Sequence, residues 1–147
     1  MSTRRITATL SAGEAHGRRA GVRRPDARRA ELRRGDIHWV NLEPVLGSEA
    51  NKVRPAVIVS NDAANRAASR SRQGVVTVVP LTSNTSRIFP FQVLLPAAHT
   101  GLDGDAKAQA EQVRSVSAVR IGRRAGRVPH PLLTRLDDAL RLHLNLG

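Results

Sequence analysis

Three side chains, Arg54, Thr82 and Glu49, stand where chemistry on a phosphate is conceivable. Arg54 directly precedes the apolar run Pro55–Ser60, Thr82 and Ser83 close a second run that starts at Val75, and Glu49 and Lys52 lie in the polar stretch Gly47–Arg54. A guanidinium, a carboxylate and two hydroxyls at the edges of a β-sheet can bind and cleave a phosphodiester. RNA carries its own nucleophile, because the 2′-hydroxyl can attack the adjacent phosphorus. The protein then has to place the phosphate, help remove the 2′ proton, neutralise the developing charge and protonate the leaving 5′ oxygen. Arg54 can donate two hydrogen bonds to nonbridging oxygens, and Thr82 can donate its hydroxyl to the same phosphate. Glu49 can accept a proton or hydrogen-bond a base edge, Gln112 can read a base, and Arg114 can contact the backbone. The first three also have a commoner role: for Arg54 a salt bridge with Glu49 or Asp36, for Thr82 a turn, and for Glu49 a solvated charge. Gln112 and Arg114 are equally consistent with an exposed strand face.

The chain that must position them has 147 residues, enough for one domain with a real core. Its formal net charge is +12, carried by 22 arginines and 2 lysines against 12 acids, which makes a polyanion the natural partner. The charge is uneven. Residues 1–34 hold 10 arginines and 3 acids, a net +7, whereas residues 35–147 hold 14 basic and 9 acidic residues, a net +5. With no cysteine, neither a disulfide framework nor a thiolate metal site can form, and a reducing cytoplasm is the expected compartment. No apolar stretch approaches the ~20 residues needed to cross a bilayer. His38, His99, His130 and His143 are dispersed, so no metal site or cofactor is expected. Aromatic residues are limited to Trp39, Phe89 and Phe91, which argues against a base-stacking platform of the kind RNA-recognition sheets use.

Residues 1–34 are rich in Arg, Ala and Gly, and are expected to be a disordered or weakly helical arm, either nonfunctional or nucleic-acid-binding. Residues 35–147 form the expected domain. A first strand is read at Asp36–Leu42, closed by Glu43 and Pro44, then a loop at Gly47–Arg54, a buried strand at Pro55–Ser60, and a helical turn near Asp62–Ala67. Val75–Leu81 is the next strand, Thr82–Ser86 a loop, Phe91–Leu95 a strand, and Gly101–Gly104 a turn. Residues 105–119 mix helix-forming Ala and Gln with strand-forming Val. Leu132, Leu133, Leu136, Leu140 and Leu144 recur at helical spacing after Pro131, predicting a terminal helix through Asn145 with one face on the sheet. The fold class is therefore β-rich α+β or barrel-like.

Taken in order, Gly35-Asp36-Ile37, Trp39, Leu42, Pro44, Gly47-Ser48-Glu49, Lys52, Arg54-Pro55-Ala56-Val57, Ser60-Asn61-Asp62, Val79-Pro80-Leu81-Thr82-Ser83, Phe91 to Leu95 and Glu111-Gln112-Val113-Arg114-Ser115-Val116 resemble the MazF/PemK family. Those proteins are endoribonuclease toxins of bacterial toxin–antitoxin modules. The resemblance spans residues 35 to about 146. It implies a small SH3-like barrel of the CcdB/PemK type with a C-terminal helix, a homodimer, and metal-independent RNA cleavage leaving a 2′,3′-cyclic phosphate and a 5′-hydroxyl. A cognate antitoxin of the MazE kind is the implied inhibitor. The catalytic arginine falls on Arg54, the catalytic threonine or serine on Thr82, the Gly-Ser-Glu loop on Gly47, Ser48 and Glu49, and the glutamine-containing strand on Gln112. Lys52, Ser83 and Arg114 join the implied RNA-binding set, and residues 107–116 should be strand. The alternatives are a noncatalytic toxin of the same fold, a topoisomerase poison like CcdB, or a basic nucleic-acid-binding protein acting through its leader.

Overall fold

The computed structural model describes residues 31–42, 53–71 and 73–147. Residues 1–30, the Gly47-Ser48-Glu49 loop and Lys52 therefore lie outside the described residues. Seven strands, β1 (Asp36–Asn41), β2 (Val53–Ile58), β3 (Val75–Thr82), β4 (Gln92–Leu95), β5 (Ala106–Gln109), β6 (Arg114–Ser117) and β7 (Ile121–Arg127), join in one antiparallel sheet. The spatial order is β4-β5-β3-β2-β1-β7, with β6 beside β5 on the same edge of β3. Among the described residues three helices complete the fold: α1 (Asp62–Ser71), α2 (Ala97–Thr100) and α3 (His130–Leu144). Among the described residues no helix is long and apolar enough to cross a membrane.

The central strands read as unbroken apolar runs because both of their faces are covered. Register aligns Ile37, Val57 and Val79 across β1, β2 and β3, and these join Leu81, Val93, Leu95 and the α3 residues Leu136 and Ala139 in one core. The alternate residues Val40, Ala56, Ile58, Val76, Val78 and Val116 face the other way and pack with Leu32, Leu42 and Ala68 of α1. Complete burial of one such side chain contributes about 1.5–3 kcal/mol. Leu32 lies in the second core. The neighbouring Arg34 donates through Nε to the Val59 carbonyl at 2.9 Å and pairs with Asp137 of α3 at 2.6 Å. The end of the leader is thus part of the folded body.

Several elements differ from the expectations. Val53 and Arg54, expected in a loop, belong to β2 and pair with Asn41 and Val40. The single turn expected after Asn61 is a helix of 10 residues. It is capped by the Asn61 side chain, whose Oδ1 accepts the Ala64 N–H at 2.8 Å, and pinned by the fully buried Asn65. Asn65 donates to the Ser60 carbonyl at 2.9 Å and accepts from the Ser60 hydroxyl at 2.5 Å.

The strand expected over residues 107–116 is two strands separated by a 3-10 turn at Ala110–Gln112. β5 pairs with Leu81 and Thr82, and β6 with Val75 to Val78, so the turn faces residues 79–80 of β3. Pro80, which has no N–H to give a neighbour, sits at that gap. α3 starts at His130 and ends on Asn145 in the left-handed region (φ 59°), with Leu136 and Ala139 buried, whereas Leu144 faces solvent. His99 lies in α2, and His130 opens α3.

Candidate active site

β2 and β3 pair as Ile58 with Val78, Val57 with Val79 and Ala56 with Pro80. Arg54 and Thr82 each lie two residues beyond the last of these pairs, in opposite chain directions. They therefore emerge at the same end of the β2–β3 pair and on the same face, since alternate residues of a strand share a face. The apolar runs that precede Thr82 and follow Arg54 anchor this end in the core, and the two candidate side chains stand half-buried at its rim. Thr82 Oγ1 accepts the Asn84 N–H at 3.3 Å. A hydroxyl that accepts through a lone pair keeps its proton free to donate, as a phosphate anchor requires.

More cations surround this end of the sheet. Lys107 of β5 stands opposite Thr82, buried except for 7% of its surface, and its Nζ donates to the Arg87 carbonyl at 2.7 Å. Arg114 stands opposite Val78 on the face that carries Arg54 and Thr82, and its Nη1 approaches the Leu42 carbonyl at 3.5 Å. Arg120 reaches the adjacent Asn41 carbonyl at 3.3 Å. Arg54, Arg114 and Arg120 thus gather around the end of β1, where the segment leading to Glu49 departs. An anion placed here meets several positive groups, which is the electrostatic condition for binding a phosphate chain.

Gln112 and Ser83 are exposed. Gln112 ends the 3-10 turn instead of sitting in a strand, so its side chain is displayed from a corner between β5 and β6. That turn is tied to the loop after Thr82. Gln92 Oε1 accepts the Phe89 N–H at 3.1 Å, and Gln92 Nε2 donates to Glu111 Oε2 at 2.8 Å. Glu111 Oε1 is buried with no partner. Reading the chain alone assigned no role to Lys107, Arg120, Gln92 or Arg87. Isolated polar residues on short strands, turns and loops carry no signal until their spatial neighbours are known. The salt bridge considered for Arg54 with Asp36 does not form; Asp36 pairs with Arg124 at 3.5 Å. Among the described residues no cluster of His, Asp or Glu side chains is arranged to hold a metal ion.

Residues 33–144 match the family described as PemK-like, MazF-like toxin of type II toxin-antitoxin system. The chain is 57% identical over 115 residues to endoribonuclease MazF9 of Mycobacterium tuberculosis, an alignment covering 78% of this chain and 98% of the relative. It is 28% identical over 115 residues to endoribonuclease EndoA of Bacillus subtilis, covering 78% and 96% respectively. The crystal structure of MazF from Deinococcus radiodurans superposes with a TM-score of 0.64 at 26% identity, over 80% of this chain and 99% of that one.

Proposed function

Because the chain belongs to the PemK-like, MazF-like toxins of type II toxin–antitoxin systems, we propose that it is a sequence-specific endoribonuclease that cuts single-stranded RNA without a metal ion. The placement of Arg54 and Thr82 at one end of the β2–β3 pair, on one face, is the observation that carries the reading. The cut phosphate sits between these two side chains. The 2′-hydroxyl attacks phosphorus, the bond to the 5′ oxygen breaks, and the products are a 2′,3′-cyclic phosphate and a 5′-hydroxyl. Charge accumulates on the nonbridging oxygens as the pentacoordinate transition state forms. Arg54 holds a permanent positive charge against it and acts as charge stabiliser or proton donor, and Thr82 anchors the phosphate by donating its hydroxyl.

Glu49 completes the catalytic set. Gly47, Ser48, Lys52, Ser83, Gln112 and Arg114 bind the flanking RNA, Gln112 by reading a base and Arg114 through the backbone. The active unit is a cytoplasmic homodimer that works independently of the ribosome and is neutralised by a cognate antitoxin of the MazE kind. Two relatives, from Mycobacterium tuberculosis and Bacillus subtilis, bear the name endoribonuclease, which supports RNA as the substrate.

The test is incubation of the purified protein with long single-stranded RNA in EDTA, followed by end analysis of the fragments. Discrete cuts with cyclic phosphate ends are expected from the wild type, and about 100- to 1000-fold slower cutting from Arg54→Ala, the usual cost of removing one charge-stabilising donor. Cutting that is abolished by EDTA, or undiminished in Arg54→Ala, refutes the mechanism.

A further inference from the structure

Two of the chain's three aromatic residues meet in the loop that follows Thr82. Phe89 and Phe91 stack with ring centroids 5.4 Å apart and planes within 2° of parallel. The Arg87 guanidinium carbon lies 4.7 Å from the Phe89 centroid, over the ring. Lys107 Nζ approaches the same ring at 5.8 Å. Arg87 is exposed, and Phe89 keeps 36% of its surface in solvent.

This column of a guanidinium and two rings is held at several points. Thr82 Oγ1 accepts the Asn84 N–H, and Asn84 Oδ1 accepts the N–H and hydroxyl of Ser86 at 3.2 and 2.9 Å. The Arg87 carbonyl is fixed by Lys107, and the Phe89 N–H by Gln92. Lys107 stands opposite Thr82 in the β3–β5 pair, so the column lies beside the phosphate anchor and is set by it. A rigid, exposed, cation-capped aromatic surface in a soluble protein leaves stacking area that its own core does not use. Unpaired bases stack on aromatic rings and on guanidinium planes, and ordering the surface beforehand removes part of the entropy cost of binding.

We propose that the Arg87–Phe89–Phe91 column is a stacking platform for one unpaired nucleobase of the RNA, next to the phosphate held by Thr82. This rests on the endoribonuclease reading. The base packs against the outer face of the Arg87 guanidinium, with the two rings beneath, and Arg87 also meets the neighbouring phosphate. Every base has a π-face, so the platform favours a stacked base over none and places the nucleotide for readers such as Gln112.

The experiment maps the wild-type cut in a short single-stranded RNA, then replaces each nucleotide flanking the cut, one at a time, by an abasic residue. KM and kcat are measured for the wild type, Phe89→Leu, Arg87→Ala and Arg87→Lys. One abasic position is expected to raise the wild-type KM about 10- to 100-fold, the usual range for losing one stacked base. Phe89→Leu and Arg87→Ala should raise KM for intact RNA to a similar degree while adding little on that abasic RNA. Arg87→Lys, which keeps the charge but not the planar group, should resemble Arg87→Ala. Should Phe89→Leu fail to fold, the Arg87 variants decide, because that side chain is exposed. Cutting by the wild type with no penalty at any abasic position, or a penalty that persists in every variant, overturns the platform alone. Failure of the wild type to cut any RNA overturns the endoribonuclease reading and the platform with it.

Discussion

Arg54 and Thr82 illustrate how far single residues can be read. Each has a commoner structural role than a catalytic one, and residue type does not choose between them. Register brings the two together, because they emerge at one end only once β2 and β3 are paired as Ala56 with Pro80. Thr82 also gives a clean chemical test. Thr82→Val keeps the side-chain shape and removes the hydroxyl, so cleavage of a fluorogenic RNA should slow about 100-fold or more, as for loss of one transition-state donor. Thr82→Ser, which restores the hydroxyl, should recover most of the rate. Equal rates in the valine variant and the wild type would remove Thr82 from the mechanism. Glu111 was visible in the chain only as part of a family pattern; its hydrogen bond from Gln92 depends on the turn that brings β5 and β6 along one edge of β3.

At the scale of elements, strands buried on both faces announced themselves through uninterrupted Val and Ile, and the terminal helix through its leucine spacing. β7 did not. Ile121–Arg127 has three arginines and two glycines, and it is a strand because β1 offers it an edge, with register irregularities on either side of His38. Gly126 is essential there for a steric reason. A Cβ at that position would run into the Thr100 carbonyl at the end of α2. Gly126→Ala should therefore lower stability by about 1–3 kcal/mol, the typical cost of overpacking, measured by urea denaturation. An unchanged midpoint would show that α2 moves aside freely. The 3-10 break after Gln109 escaped detection for a related reason: local preference was divided between helix and strand, and the gap opposite Pro80 settled it.

For the molecule as a whole, β1 joins β7 to the rest of the sheet, and a buried imidazole lies at that seam. His38 is 2% exposed, with Nδ1 2.9 Å from the Gly122 carbonyl and Nε2 buried without a partner. The Nδ1 contact to a carbonyl requires a proton there, which leaves Nε2 bare in the neutral ring. Burial is the largest influence and holds the pKa of His38 below the usual value for histidine; the Gly122 hydrogen bond and the Asp36 charge oppose this, and the charge of Arg124 reinforces it. The folded state thus resists protonation more than the unfolded chain does. Stability from this group is complete above about pH 6.5 and is lost as pH falls below that value, by at most about 1.4 kcal/mol per pH unit. His38→Gln, whose amide can still donate to Gly122, should flatten the fall in denaturation midpoint between pH 7 and pH 5. A parallel fall in both proteins would place the acid sensitivity elsewhere. The sequence by itself determined the family, the β-rich class, the central strands, the final helix and the identities of Arg54 and Thr82, because these rest on local pattern and residue order. Only the tertiary structure decided that Arg54 belongs to a strand, that Gln112 stands on a turn, that β7 adds to the sheet beyond β1, and that two phenylalanines in an aromatic-poor chain form a stack. The first three outcomes depend on cross-strand neighbours far apart in the chain; the stack joins rings two residues apart, but the loop that sets them is fixed by Gln92 and by Lys107 from a distant strand.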